Sequence, residues 1–195
     1  SSIAAAGASR NARTVTAGPS TSRTVTDIAQ ESDVRAATGI GELDRVLGGG
    51  LVAGSVVLLG GDPGIGKSTL LLQAADALSR ERSVLYVSGE ESVRQVASRA
   101  QRLGLDSTTL RLAAETRVET ILAEAVASRA QVLVIDSIQT MQTELSESSA
   151  GSAVQVRESA AQLVRFAKAT GTTVLLIGHV TKEGLIAGPR ILEHM

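Results

Sequence analysis

A glycine-rich segment at residues 61–68, with the sequence GDPGIGKS, restricts the possible folds more than any other part of the chain. It fits the pattern G-x-x-x-x-G-K-[ST] and lies between an apolar run, Val56 to Leu59, and a helical pattern that begins near Lys67. A loop of this kind directs several backbone N–H groups into one concavity, where the helix N-terminus adds partial positive charge. The segment therefore predicts a phosphate-binding P-loop.

The side chains at the end of this loop have distinct expected roles. Lys67 would place its charge on the β- and γ-phosphates of a nucleotide, and the Ser68 hydroxyl would ligate Mg²⁺. The alternative is a glycine-rich strand-to-helix turn without a ligand. The residues predicted to bind nucleotide here are Gly61, Asp62, Pro63, Gly64, Ile65, Gly66, Lys67, Ser68 and Thr69.

Short apolar runs alternate with helical patterns from Asp27 onward. Predicted strands are Val56 to Leu59, Val84 to Val87, Val132 to Ile135 and Val174 to Ile177, with a shorter one at Leu110 to Leu112. Predicted helices are Thr69 to Ser79, Val93 to Leu103, Val118 to Ala127 and Ala153 to Ala169. Strands that are apolar throughout are buried on both faces, so we expect an α/β fold with a mainly parallel twisted sheet between helices.

Composition excludes several classes of site. The 195 residues include no cysteine and two histidines, which excludes disulfides, thiolate zinc sites and histidine-rich metal sites. The formal net charge of -1 means that any nucleic-acid contact must depend on a local basic site. Tyr86 and Phe166 are the only aromatic residues, so a platform of stacked bases is excluded within this chain.

Residues 1–26 differ from the rest of the chain. They are mostly Ser, Thr, Ala and Gly, with three arginines and no acidic residue. We interpret them as a flexible linker or tail. An organelle transit peptide is the alternative, although the segment has no clear amphipathic stripe. Residues 27–195 would form a single domain.

Two acidic residues follow predicted strands. Asp136 ends the run Val132 to Ile135, in the position where a P-loop ATPase places the carboxylate that contacts the Mg²⁺ shell. Glu90 follows the strand that ends at Val87. Ser88 and Glu91 have capping-box spacing, which leaves Glu90 to orient water at the γ-phosphate or to act only as a favourable charge in a first helical turn.

His179 follows the strand Val174 to Ile177. Beside the strand that carries Asp136, its side chain could detect the γ-phosphate and relay its loss to the following loop. An ordinary hydrogen-bonded histidine explains it equally well.

Together these motifs resemble the RecA-type ATPase cores of the bacterial RadA (Sms) family. The resemblance includes the P-loop, an opening TGIGELDRVLGGGL at residues 38–51, SGEES at 88–92, VIDSIQT at 134–140 and GHVTKEG at 178–184. It implies a DNA-dependent ATPase of DNA repair and homologous recombination in the bacterial cytoplasm. Such a protein is a hexameric ring motor that loads on single-stranded DNA and promotes branch migration with RecA, using ATP and Mg²⁺.

The resemblance also implies contacts outside the P-loop. Two loops facing DNA would lie at about Thr140 to Gln155 and Thr181 to Pro189, and the candidate phosphate contacts are Arg157, Lys182 and Arg190. Solvated loop charge is the alternative for these three residues. Arg99 would lie over the adenine, unless it is a plain surface arginine on a helix.

The chain departs from the family at both ends. Zinc belongs to a four-cysteine N-terminal module, and the Lys-Asn-Arg-Phe-Gly motif and Lon-protease-like domain would follow residue 195. We therefore expect an isolated ATPase core in which nucleotide binding survives better than turnover.

Two other functions fit parts of the sequence. A KaiC-like regulatory ATPase that does not act on DNA shares the glycine-rich opening and the P-loop, although the segment at 178–184 favours RadA. A small-molecule P-loop kinase would need an arginine-bearing lid and an acceptor pocket, neither of which the sequence places.

Overall fold

The apolar runs of the sequence form the strands of a single parallel sheet. The computed structural model describes residues 35–179. In chain order the elements are α1 (Gly41–Val46), β1 (Val56–Gly61), α2 (Lys67–Ser79), β2 (Val84–Ser88), α3 (Val93–Arg102), β3 (Arg111–Ala114), α4 (Val118–Ala127), β4 (Val132–Asp136), a 3-10 turn (Ile138–Thr140), α5 (Ala153–Thr170) and β5 (Thr173–His179). The proposed tail at 1–26 and the second predicted loop, with Lys182 and Arg190, lie outside the described residues.

The strand order is β1-β5-β4-β2-β3, and every neighbouring pair is parallel. This confirms the α/β fold with a parallel sheet expected from the sequence. Because the strands are parallel, their carboxyl ends lie along one edge of the sheet. Strand β5 lies between β1, which leads into the P-loop, and β4, which ends at Asp136.

Alternate residues of each central strand pack against helices on opposite faces. One core contains Leu133 and Ile135 of β4 together with apolar residues of α4 and α5. The other contains Val132 and Val134 together with residues of α2 and α3. Burial on both faces explains why β2 and β4 contain almost no polar residue except at their ends. No helix within residues 35–179 is long and apolar enough to cross a bilayer.

Helix α3 starts where the sequence predicts, but its cap differs. The predicted capping box at Ser88 and Glu91 is wrong as a helix cap, although the Ser88 hydroxyl does accept a hydrogen bond from the Glu91 N–H at 2.9 Å. Helix α3 begins at Val93, and its capping box is formed by Ser92 and Gln95. Both pairs have the same spacing, and the second is the one followed by helical backbone.

Candidate nucleotide-binding site

The carboxyl edge of the sheet brings the predicted functional residues together. In the strand register, Gly61 at the end of β1 pairs with His179 of β5, and Ser88 of β2 pairs with Asp136 of β4. The P-loop follows Gly61, and Glu90 follows Ser88 by two residues. Four separate segments of the sequence therefore end at one site, as expected for ligand-binding residues in a parallel α/β sheet.

The P-loop is an exposed turn with unpaired amides. Residues 62–66 are all exposed, and Gly64 and Gly66 have φ of 82° and 93°, which favour glycine. Pro63 has no N–H, and the four other N–H groups of residues 62–66 donate no hydrogen bond to any part of the chain between 35 and 179. Helix α2 begins directly after Gly66, so its first-turn amides extend the same group of donors.

Lys67 places a buried cation under these amides. The residue is only 6% exposed. Its Nζ donates to the carbonyl oxygens of Gly61, at 2.6 Å, and Asp62, at 2.5 Å. Within the described part of the chain it forms no ion pair with a carboxylate. A buried ammonium held only by neutral carbonyls favours an anion, since burial of an unpaired charge is costly.

The two residues expected to bind Mg²⁺ each have an oxygen atom that accepts no hydrogen bond from the described residues. The Ser68 hydroxyl makes no hydrogen bond with the described residues. Asp136 is 8% exposed, and its Oδ2 accepts a 2.6 Å hydrogen bond from the Tyr86 hydroxyl, while no described residue donates to Oδ1. Within residues 35–179 no three acidic or histidine side chains are grouped to hold a metal ion. A hydroxyl and one carboxylate oxygen fit Mg²⁺ that also binds water and phosphate.

The Arg99 side chain is largely buried rather than on an open surface. Its side chain is 17% exposed, and its Nη2 lies 2.8 Å from Glu91 Oε2 and 3.8 Å from Asp136 Oδ2. Burial, and then the negative charge of Asp136, raise the pKa of Tyr86 far above its usual value. The expected contact between Arg99 and adenine stays a prediction, and this guanidinium is already engaged by acidic partners.

Glu90 and His179 lie close together at the carboxyl edge. Glu90 Oε1 accepts a 3.3 Å hydrogen bond from the Ser137 hydroxyl and lies 3.7 Å from His179 Nε2. The Glu90 side chain is still 57% exposed. Gln139 donates to the His179 carbonyl at 3.3 Å. Ser137 and Gln139 thus connect the segment after β4 to both residues predicted to respond to the γ-phosphate.

The comparisons with known proteins agree with this geometry. A family model described as an AAA domain matches residues 21–185. The chain belongs to the AAA domain family. Its relatives include proteins named DNA repair protein RadA from three bacteria: Pseudomonas aeruginosa, 58% identical over 89% of this chain and 38% of that protein; Escherichia coli, 51% over 91% and 39%; and Bacillus subtilis, 51% over 88% and 38%.

These similarities confirm the resemblance to RadA found in the sequence motifs. The chain spans about two-fifths of the length of these curated relatives. The activity, substrates and partners of a whole RadA protein are therefore proposals for this AAA domain.

The loop after β4 occupies residues 141–152. The sequence predicts a loop at about Thr140 to Gln155 and a helix from Ala153, and in the structure Thr140 ends the 3-10 turn and α5 begins at Ala153. The buried Gln155 side chain accepts from the Thr143 N–H and donates to three carbonyls of residues 143–148. These bonds hold residues 141–152 against the first turn of α5.

The half-buried carboxylate of Glu119 holds the same loop. Glu119 Oε1 accepts hydrogen bonds from Gln162 Nε2 at 2.9 Å and from the Thr143 hydroxyl at 2.5 Å. Burial would raise the pKa of Glu119, but these hydrogen bonds outweigh it and the pKa is lowered. The loop is therefore fixed by ionised Glu119 at neutral pH.

The expected DNA contacts are only partly described. Arg157 lies in α5, 44% exposed, with Nε 3.4 Å from Glu158 Oε1. The exposed charges of residues 141–152 are Glu144 and Glu147, so this loop offers phosphate groups no cationic side chain. Any contact there would depend on backbone amides and on Arg157.

One cavity of the protein is distant from this edge. It has a volume of about 430 Å³ and lies at the amino ends of β4 and β5, lined in part by Arg82, Arg129 and Phe166. None of Lys67, Ser68, Glu90, Asp136 and His179 lines it. A triphosphate needs an open row of N–H donors, and the P-loop supplies them on the surface.

The sequence did not predict the roles of three residues at or near this site. Tyr86 was noted only as an aromatic residue, although a buried phenol requires a polar partner, and here the partner is Asp136. Ser137, directly after Asp136, and Gln155 were not assigned a role. The sequence signal for Ser137 is its position at a strand end, next to a carboxylate.

The close approach of Gly89 to the 3-10 turn gives a prediction for this edge. A Cβ at position 89 would overlap the Thr140 side chain and come within 2.9 Å of Met141 Cε. Gly89→Ala should therefore displace the turn or destabilise the domain by about 1–3 kcal/mol. Denaturant unfolding monitored by circular dichroism measures the loss.

Gly41→Ala is the matched control for this substitution. Gly41 lies in α1, and an added Cβ there meets no atom within 4 Å. We expect it to be neutral or slightly stabilising, because alanine favours helix. Equal unfolding midpoints for the two variants would contradict the tight packing of Gly89.

Proposed function

We propose that this AAA domain is the ATP-binding and ATP-hydrolysing core of a DNA-dependent motor of DNA repair and recombination. The observation that carries the proposal is the buried Lys67 ammonium, which has only carbonyl partners and lies beside unpaired loop amides. Cationic and N–H donors of this kind suit the β- and γ-phosphates of a nucleotide. Residues 61–69 would surround the phosphates.

The geometry suggests a role for each residue at the carboxyl edge. Lys67 would leave its two carbonyls and donate to phosphate oxygens. Ser68 and Asp136 Oδ1 would hold Mg²⁺, which when bound neutralises phosphate charge and orients the phosphates. Glu90 would accept a proton from the water that attacks the γ-phosphate, and Ser137 keeps the Glu90 carboxylate facing the edge.

His179 is proposed to report the loss of the γ-phosphate. Its imidazole lies 3.7 Å from Glu90, and its backbone carbonyl accepts from Gln139, which precedes the loop at 141–152. A change at the phosphate could move both groups and, through them, the loops at 141–152 and 181–189. This would couple hydrolysis to the grip on DNA.

The proposed DNA contacts are Arg157, Lys182 and Arg190, together with backbone amides of the loop at 141–152. Contacts from Lys and Arg to phosphates make DNA binding depend on salt. Because the chain has almost no aromatic residues, base stacking cannot be the main contribution to DNA affinity. Arg99 is proposed to contact adenine through the face of its guanidinium, while Nη2 stays near Glu91.

The larger assembly is proposed from the relatives. They are named DNA repair proteins, which favours a role on DNA over the regulatory switch considered from the sequence. We propose a hexameric ring on single-stranded DNA that promotes branch migration with RecA.

The discriminating experiment titrates labelled single-stranded DNA against the chain with ATP and Mg²⁺, at about 50 and 200 mM salt, and follows ATP hydrolysis in parallel. A protein making several phosphate contacts should lose affinity by orders of magnitude at the higher salt. Hydrolysis should rise with DNA. If the chain does not bind DNA at low salt, and DNA does not stimulate its hydrolysis of ATP, the regulatory switch is favoured instead.

A further inference from the structure

The Tyr86 hydroxyl donates its hydrogen bond to Asp136. Tyr86 is fully buried in β2, and its hydroxyl lies 2.6 Å from Asp136 Oδ2 and 3.5 Å from Arg99 Nη2. A guanidinium can only donate, so the phenol accepts from Arg99 and gives its single proton to Asp136.

This arrangement treats the two oxygens of Asp136 differently. Oδ2 is held by the phenol and lies 3.8 Å from Arg99 Nη2. Oδ1 accepts no hydrogen bond from residues 35–179. A carboxylate fixed through one oxygen presents the other in a defined direction.

We propose that Tyr86 is a positioning residue that holds Asp136 so that Oδ1 faces the shell of the divalent cation bound with ATP. The inference rests on the proposed function, because it assigns Asp136 to that cation. Tyr86 itself touches neither nucleotide nor metal. Its role is to keep the carboxylate from turning toward Arg99.

Removal of the hydroxyl gives a specific expected defect. In Tyr86→Phe, Arg99 is the remaining cation near Asp136, at 3.8 Å, and a direct ion pair would draw the carboxylate away from the metal. The affinity for Mg²⁺ in the presence of nucleotide should fall, whereas binding of ATP without metal should not. A purely structural role would weaken both equally or neither.

The test measures ATP affinity of the chain by calorimetry as a function of Mg²⁺ concentration. For Tyr86→Phe, the Mg²⁺ concentration that gives half of the metal-dependent gain should rise about 10-fold, at the lower end of the effect of residues that orient metal ligands. ATP affinity in EDTA should stay unchanged. Ser159→Ala is the control, because Ser159 is also a fully buried hydroxyl, in α5, but has no hydrogen-bond partner within residues 35–179. It should leave both affinities unchanged.

A second readout uses the unmodified chain and one control variant. The chain has one tyrosine and no tryptophan, so its intrinsic emission reports on Tyr86 alone. The fluorescence of a phenol that is hydrogen-bonded to a carboxylate changes when a cation binds to that carboxylate. Adding Mg²⁺ to the chain with ADP should change this emission, and adding ADP in EDTA should not. Asp136→Asn should remove the Mg²⁺ response.

The outcomes separate the two proposals. Unchanged Mg²⁺ dependence in Tyr86→Phe, or no metal-dependent change in tyrosine emission while Mg²⁺ still strengthens ATP binding, would overturn the positioning role and leave the proposed function standing. No ATP binding by the unmodified chain would overturn the proposed function and this inference with it.

Discussion

Lys67→Ala should weaken ATP binding about 100-fold or more. The Lys67 ammonium is the buried cation of the P-loop, and losing a charge-assisted contact of roughly 3 kcal/mol corresponds to that factor. Calorimetric titration with Mg²⁺ and ATP measures the effect. Stability should change much less than affinity, because the ammonium has only two carbonyl partners and its removal also relieves the burial of a charge.

Lys168→Ala provides the control for this prediction. Lys168 is an exposed lysine in the last turn of α5, away from the P-loop. Its removal changes the net charge by the same amount and should leave ATP affinity unaltered. Retained ATP affinity in Lys67→Ala would refute the assignment of the P-loop lysine.

Glu90→Gln should retain ATP binding and lose hydrolysis by about 10²- to 10⁴-fold, the usual contribution of a general base. The amide keeps an oxygen that can accept from Ser137, so the local contact is preserved. It cannot accept a proton from water. Phosphate release under single-turnover conditions, with DNA present, measures the loss separately from binding.

Glu124→Gln is the corresponding control. Glu124 is exposed on α4, which packs on one face of the sheet rather than at its carboxyl edge. We expect its hydrolysis rate to equal that of the unmodified chain. If Glu90→Gln hydrolyses ATP as fast as Glu124→Gln, then Glu90 is not the base.

The sheet could be predicted well because its strands are buried on both faces. Runs such as Val132 to Ile135 have no polar alternation, and a strand of this kind requires helices on each side. The P-loop pattern predicted a strand before the loop, which is β1, and a helix after it, which is α2. The bounds of α4, Val118–Ala127, agree with the prediction at both ends.

The site was predicted less completely because several contacts join distant parts of the sequence. Tyr86 and Asp136 are 50 residues apart, and no local pattern reveals that their side chains meet. The cap of α3 could not be chosen from two pairs with the same spacing. The hydrogen bonds from Gln155 to the loop after β4 are tertiary contacts that the sequence does not reveal.

The pairing of the strands explains how distant motifs act together. Asp136 and His179 end β4 and β5, and Glu90 follows β2 by two residues; these three strands are neighbours in the sheet but separated by helices in the sequence. Their positions depend on the register of β2, β4 and β5 rather than on local turns. Changes in the core under these strands should therefore alter the geometry of the proposed site through register and packing.

The central claim is that the P-loop amides and Lys67 bind the β- and γ-phosphates. Parallel titrations of the chain with ATP, ADP and AMP, each with Mg²⁺, test it most directly. The account predicts that ATP and ADP bind and that AMP, which lacks both phosphates, binds far more weakly. Equal affinity for all three, or no binding of ATP, would contradict it.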